Sequence, residues 1–188
     1  DQNVPVSFSE TIIDGSCAGN FEVIRTWTAT DACGNTTSHT QEFNVVDVVA
    51  PELAGVPANT TVECDSVPAP ANVTATDNCD PSPVVTLNET RVDGNCAGNY
   101  TLIRTWTATD NCGNSSSASQ TITVQDTTAP SIACPADATV ECTDSTAPAA
   151  TGTATGSDNC GDVTITSSDV SVSGCGNTET ITRTWTAT

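Results

Sequence analysis

Arg25-Thr-Trp-Thr-Ala-Thr-Asp-Ala-Cys-Gly-Asn35 returns almost unchanged as Arg104-Thr-Trp-Thr-Ala-Thr-Asp-Asn-Cys-Gly-Asn114. After an equal interval Arg183-Thr-Trp-Thr-Ala-Thr188 begins it a third time. All three tryptophans and three of the four arginines lie in this unit. Leu102, Arg104, Trp106 and Ala108 alternate with Thr105, Thr107 and Thr109, the period-two pattern of a β-strand with one inward face. Asp-Asn-Cys-Gly-Asn then supplies turn residues, so each strand ends in a loop carrying a carboxylate and a sulfur. From Trp27 to Trp106 to Trp185 the period is about 79 residues, too long for a solenoid repeat and suited to a small β-sandwich. The sequence therefore predicts an all-β chain of tandem immunoglobulin-like sandwiches.

Two linkers bound the repeats. Asp47-Val-Val-Ala-Pro51 and Asp126-Thr-Thr-Ala-Pro130 are one period apart, and proline holds such a connection extended. The expected organisation is the later part of one repeat over 1–49, a complete repeat over 50–127, and the start of a third over 128–188. Strands are expected near Val4–Thr11, around Trp27 and at Gln41–Val46. In the complete repeat they are expected near Pro51–Val56, Thr60–Cys64, Asn72–Ala75, Pro83–Thr90, Tyr100–Thr109 and Ser119–Val124. No stretch has a helical apolar period, and the chain reads as a window on a longer array.

Charge narrows the function classes. With 4 Lys+Arg against 23 Asp+Glu and a net charge of -19, the chain offers no basic surface for nucleic acid or an anionic membrane. No apolar run approaches the ~20 residues of a membrane span. Ten cysteines in 188 residues indicate a disulfide framework and an oxidising compartment. Zinc is disfavoured by spacing: the nearest pair, Cys134 and Cys142, is eight positions apart and His39 is the only histidine. For a domain of about 80 residues, disulfides worth ~2–4 kcal/mol each are a large share of stability.

Three stretches carry a family resemblance: Val124-Gln-Asp-Thr-Thr-Ala-Pro-Ser-Ile-Ala-Cys-Pro-Ala-Asp137, Ser157-Asp-Asn-Cys-Gly161, and the recurring Trp-Thr-Ala-Thr-Asp-x-Cys-Gly-Asn. They resemble hyalin-repeat (HYR-like) domains, immunoglobulin-like sandwiches of extracellular adhesion proteins. The Cys- and Thr-rich form is similar to tandem repeats of giant Bacteroidota surface proteins, gliding adhesins among them. The middle repeat departs from the pattern at Ala54-Gly55-Val56-Pro57, which leaves Cys134 without a counterpart there. If the family's strand order holds, the Cys79 and Cys112 loops share one end and the Cys96 loop lies at the other. The resemblance then implies Cys79–Cys112, Cys64–Cys96 and, by the offset, Cys142–Cys175, although four cysteines allow two other pairings. Cys17, Cys33 and Cys160 would find partners outside the chain.

Carboxylates recur at the linkers (Asp47, Asp126) and in the Asp-x-Cys loops (Asp31, Asp77, Asp110, Asp158). An acidic linker meeting acidic loops resembles the calcium junctions of cadherins, and calcium accepts 6–8 oxygens in irregular geometry. Asp47, Asp77 and Asp110 would form one such site; Asp126 and Asp158 would begin a second. The alternative is a set of solvated turn residues, since no compact calcium loop motif is present. Asp65-Ser-Val67, Asp126-Thr-Thr128 and Asp144-Ser-Thr146 resemble a Bacteroidota O-glycosylation motif, which would place glycans on Ser66, Thr127 and Ser145.

Arg104 and Trp106 share a strand face. They form either a recurring surface patch for a glycan or protein, or a core Trp beside an Arg paired with a carboxylate such as Glu63. One histidine, no lysine and no nucleophile or phosphate motif give no footing for an enzyme. Two functions follow: a structural stalk or filament segment, contacting its neighbouring repeats or copies of itself, and an adhesin repeat that binds glycans or proteins directly. Few aromatics favour the stalk.

Overall fold

The computed structural model describes residues 3–176 and 178–188. Its regular secondary structure is almost wholly strand, in keeping with the immunoglobulin-like class. The first repeat contributes β1 (Val6–Asp14), β2 (Phe21–Thr30) and β3 (Thr36–Val45), an antiparallel sheet in the order β1-β2-β3. The middle repeat contributes β4 (Glu52–Ala54), β5 (Thr60–Glu63), β6 (Thr74–Thr76), β7 (Val84–Asp93), β8 (Tyr100–Thr109) and β9 (Ser115–Gln125). Here β4 pairs with β6, and a four-stranded sheet runs β5-β9-β8-β7 with β5 parallel to β9. The third repeat holds β10 (Ser131–Ala133), the four-residue helix α1 (Pro148–Thr151), β11 (Thr155–Ser157), β12 (Ile165–Ser173) and β13 (Glu179–Ala187). Its pairs are β10-β11 and β12-β13. No helix among the described residues is long and apolar enough to cross a membrane.

The repeat is visible residue by residue. β2 and β8 match under the same sequence shift, and β13 begins at the position that shift requires. The last strand of the repeat starts at Thr36 or Ser115, earlier than its apolar residues suggest, because polar Ser and Thr continue the ladder up to the turn. Thr139-Val-Glu-Cys142 repeats the sequence of β5 but is not a strand. In the middle repeat β5 is held by β9, and the described residues of 128–188 hold no counterpart of β9 for it to join.

The chain divides into two compact units that cut across the long strands of the middle repeat. One comprises Asp1–Asn59, Ala69–Thr90 and Ile103–Thr121; the other comprises Thr60–Pro68, Arg91–Leu102 and Ile122–Thr188. In the first, Trp106 and Ala108 of β8 are buried with Val23 and Val73, as the alternation of the strand requires. In the second, Leu102, Ile122 and Val124 form a core against which Val62, Cys64, Val67 and Tyr100 pack. Each of these cores is thin, so disulfides contribute a large part of the stability.

Candidate metal centre and its disulfides

The four Asp-x-Cys loops are built alike. Oδ1 of Asp31, Asp77, Asp110 and Asp158 accepts the backbone N–H of Cys33, Cys79, Cys112 and Cys160 at 2.9, 2.9, 2.9 and 2.7 Å. This is the local turn that aspartate forms two residues ahead. In the loop after β8, Asp110 Oδ1 also accepts from Asn114 N, and Gly113 takes a φ of 92° that a side chain would resist. The linker aspartates are placed by a second device. Asn20 Oδ1 accepts Asp47 N at 2.5 Å, and Asn99 Oδ1 accepts Asp126 N at 2.7 Å. Each linker is thereby fastened to the cysteine loop of the repeat it leaves.

Within the first unit these devices bring Asp47, Asp77 and Asp110 together. Each offers an oxygen, and those oxygens lie within 4.8 Å of one another. Asp47 and Asp110 are both 6% exposed. Oδ2 of Asp47 and Oδ2 of Asp77 are buried and have no hydrogen-bond partner. A buried carboxylate oxygen without a donor is costly, and three like charges at this range repel. Burial pushes the Asp110 carboxyl upward, but donors from the Asn114 side chain and backbone, then Cys112 and Gly113, outweigh it and hold it below 3.8. The neighbouring Cys79 thiol is pushed above 9.0 by burial and then by Asp47, Asp77 and Asp110. An oxygen-seeking divalent cation fits this donor set: it would take the two orphaned oxygens and offset the repulsion. Thus the three aspartates singled out by the sequence meet in space.

The second set differs from expectation. Asp126 is joined by Glu63 and Cys160, and Asp158 is not part of that group. Asp158 Oδ1 is already committed to Cys160 N. Glu63 accepts the N–H of Thr127 at 3.2 Å and the Thr127 hydroxyl. Cys160 is disulfide-bonded and offers no thiolate. As a member of this set Glu63 escaped the sequence reading. Its register opposite Gln125 in the parallel β5-β9 pair, one residue before Asp126, is what delivers it.

The disulfides overturn the expected connectivity. Cys17 is bonded to Cys112 and Cys64 to Cys160, with Cα atoms 5.2 and 5.7 Å apart and sequence separations of 95 and 96. Cys79–Cys112, Cys64–Cys96 and Cys142–Cys175 are not formed; Cys33, Cys79, Cys96, Cys134, Cys142 and Cys175 are free among the described residues. Cys17 and Cys160, assigned to outside partners, find them inside the chain. The physical reason lies in the linker. Asn20 fastens Asp47 beside the Cys17 loop, and the chain reaches the next repeat four residues later at Pro51. Gly19 lies so near Cys79 that an added Cβ would fall 2.8 Å from the Cys79 Cβ. The Cys17 loop is thus set against the cysteine loops of the next repeat.

Arg104 and Trp106 are 3% and 2% exposed. The arginine donates through Nε to Glu89 Oε2 at 2.6 Å, so its partner is Glu89 on β7 and not Glu63. Arg25–Glu10 and Arg183–Asp169 repeat this cross-strand pair at 2.7 Å. The hydroxyls of Ser66, Thr127 and Ser145 belong to residues that are not buried; Ser66 donates to Asp65, Thr127 to Glu63, and Ser145 accepts from Ala147 N.

Residues 53–124 match the family described as the HYR-like domain with 4 cysteines. The match coincides with β4 to β9, the middle repeat, and contains Cys64, Cys79, Cys96 and Cys112. No curated protein matches the chain. The likeness of the middle repeat to a HYR-like domain, together with the two disulfides, suggests a disulfide-stabilised extracellular domain.

Proposed function

We propose that this chain is a structural segment, a stalk or filament, of a secreted cell-surface protein, and that calcium stiffens its repeat junctions. The observation that carries this reading is that both disulfides join one sequence repeat to the next. Bonds inside a repeat would stabilise beads on a flexible string; bonds between repeats make neighbours a single mechanical element. The buried Asp47–Asp77–Asp110 cluster supports calcium, because its two orphaned oxygens want a cation and its residues come from the linker and from both loops of the following repeat. A similar site at Asp126 would draw on Glu63. Resemblance to repeats of large Bacteroidota surface proteins agrees with a stalk. The adhesin reading finds less support, since Trp106, the aromatic that a glycan platform would need exposed, is buried. The proposal assigns no catalytic role to any residue.

Small-angle scattering of the oxidised chain in calcium and in chelator tests the reading. Calcium should narrow the distribution of end-to-end distances, and monovalent salt of equal ionic strength should not. An identical distribution in all three conditions removes calcium from the proposal. A chain that remains flexible with both disulfides intact removes the stalk.

A further inference from the structure

The four cysteines of the matched repeat occupy four kinds of position, and the two observed bonds use each kind once. Cys64 ends the Thr-Val-Glu-Cys edge segment, and Cys142 is its counterpart in the third repeat. Cys79 sits in the Asp-Asn-Cys loop before β7, with Cys160 as counterpart. Cys96 lies in the loop before β8, and Cys17 and Cys175 stand one period to either side of it. Cys112 follows β8, and its counterpart is Cys33. Cys17–Cys112 therefore joins the third kind in one repeat to the fourth kind in the next. Cys64–Cys160 joins the first kind in one repeat to the second kind in the next.

We infer that this is a rule of the array. Every junction carries two disulfides, so each repeat uses two cysteines toward its predecessor (the kinds of Cys79 and Cys112) and two toward its successor (the kinds of Cys64 and Cys96). Cys79 and Cys96 are free among the described residues because their partners belong to adjoining repeats of the same kind. The surroundings of these thiols support this independently. Gly19 approaches free Cys79 as its counterpart Gly98 approaches bonded Cys160, with added Cβ positions 2.8 and 3.0 Å from the two cysteine Cβ atoms. The Cys96 loop keeps the internal bonds of the Cys17 loop: Gly94 N donates to Asn99 O at 2.8 Å, as Gly15 N does to Asn20 O. Cys79 and Cys96 thus sit in loops built like those of their bonded counterparts. The inference rests on the stalk reading only for its mechanical consequence.

Each bond forms as two thiols lose two protons and two electrons to a disulfide oxidant, which leaves as two thiols. The rule is tested by inserting a second copy of residues 50–128 after residue 128, so that the period is preserved. Ser66→Thr, Ser82→Thr, Val92→Ile and Ser115→Thr in that copy serve as mass markers, one near each of its four cysteines; all four residues are exposed. The chain is folded with glutathione disulfide, alkylated and mapped without reduction. The rule requires the marked Cys112 peptide to be linked to an unmarked Cys96 peptide, and the marked Cys79 peptide to an unmarked Cys64 peptide. Cys64→Ser in the first copy alone should leave the marked Cys79 alkylated. Marked peptides linked to each other, or marked Cys79 unaffected by that substitution, would overturn the rule. So would alkylation of both marked cysteines in the unsubstituted chain. Mapping in chelator gives the same answer whether or not calcium binds, so the failure of one idea does not disguise the other.

Discussion

Arg104 and Glu89 form a one-sided ion pair: the arginine side chain is 4% exposed and the glutamate side chain 41%. Their 2.6 Å contact is the sole charged partner, among the described residues, of a guanidinium buried beside Trp106 and Ala108 on the same strand face. The two ends of the pair should therefore respond differently to removal. Glu89→Ala strands a buried cation and should cost about 3–5 kcal/mol. Arg104→Met keeps the aliphatic volume and leaves Glu89 in reach of water, so about 1–3 kcal/mol is expected. Urea midpoints of the two variants decide this, and equal or reversed losses would show that the arginine has other support.

Calcium should raise the melting temperature through the Asp47 cluster. Binding to the folded state alone stabilises by about 2.7 kcal/mol at a hundredfold excess over Kd. Asp77→Asn keeps the oxygen that accepts Cys79 N and removes the charge of the orphaned Oδ2. It should fold normally and lose most of the calcium response in a thermal titration. An unchanged response would place the ion elsewhere.

Asp169 gives a pH prediction of definite sign. Hydrogen bonds from Arg183, the largest influence, hold its carboxyl below 3.8 against some desolvation, with the charge of Arg183 adding to them. A carboxylate depressed in the folded state adds stability above the unfolded value of 3.8 and loses it as pH falls through the lower folded value. Asp169→Asn should therefore destabilise the chain at neutral pH and flatten the part of the acid limb below about 3.8. Denaturant midpoints measured from pH 7 down to 2 test it; parallel curves would refute it.

The strand carrying Trp106 was legible because sustained alternation fixes both the element and its inward face, and the observed burial of Leu102, Arg104, Trp106 and Ala108 follows it. The meeting of Asp47, Asp77 and Asp110 was legible for a related reason. So short a linker cannot carry Asp47 far from the loops of the repeat it enters. The disulfides were not legible, because a family strand order locates cysteines within one sandwich and is silent about a neighbour that comes closer. Glu63 was missed as a cluster member because only the register of a parallel pair, β5 on β9, sets it beside the linker.

The close approach at Gly98 yields the last prediction. A Cβ there would meet the Asp126 Cβ at 2.8 Å and the Cys160 Cβ at 3.0 Å. Neither neighbour can swing aside, because a Cβ moves only with its backbone. Asp126 N is bound to Asn99, and Cys160 is tied to Cys64. Gly98→Ala must therefore push the cysteine loop away from the linker, at an overpacking cost of about 1–3 kcal/mol. Gly161 lies in the same unit beside Cys160, and a Cβ there meets nothing within 4 Å. Gly161→Ala is the matched control and should be nearly neutral. The strained loop should also slow closure of Cys64–Cys160 during oxidative refolding, which timed alkylation and non-reducing mapping can follow. If the two alanine variants match in melting temperature and in the rate of disulfide closure, the contact between this loop and the linker contributes nothing to the fold.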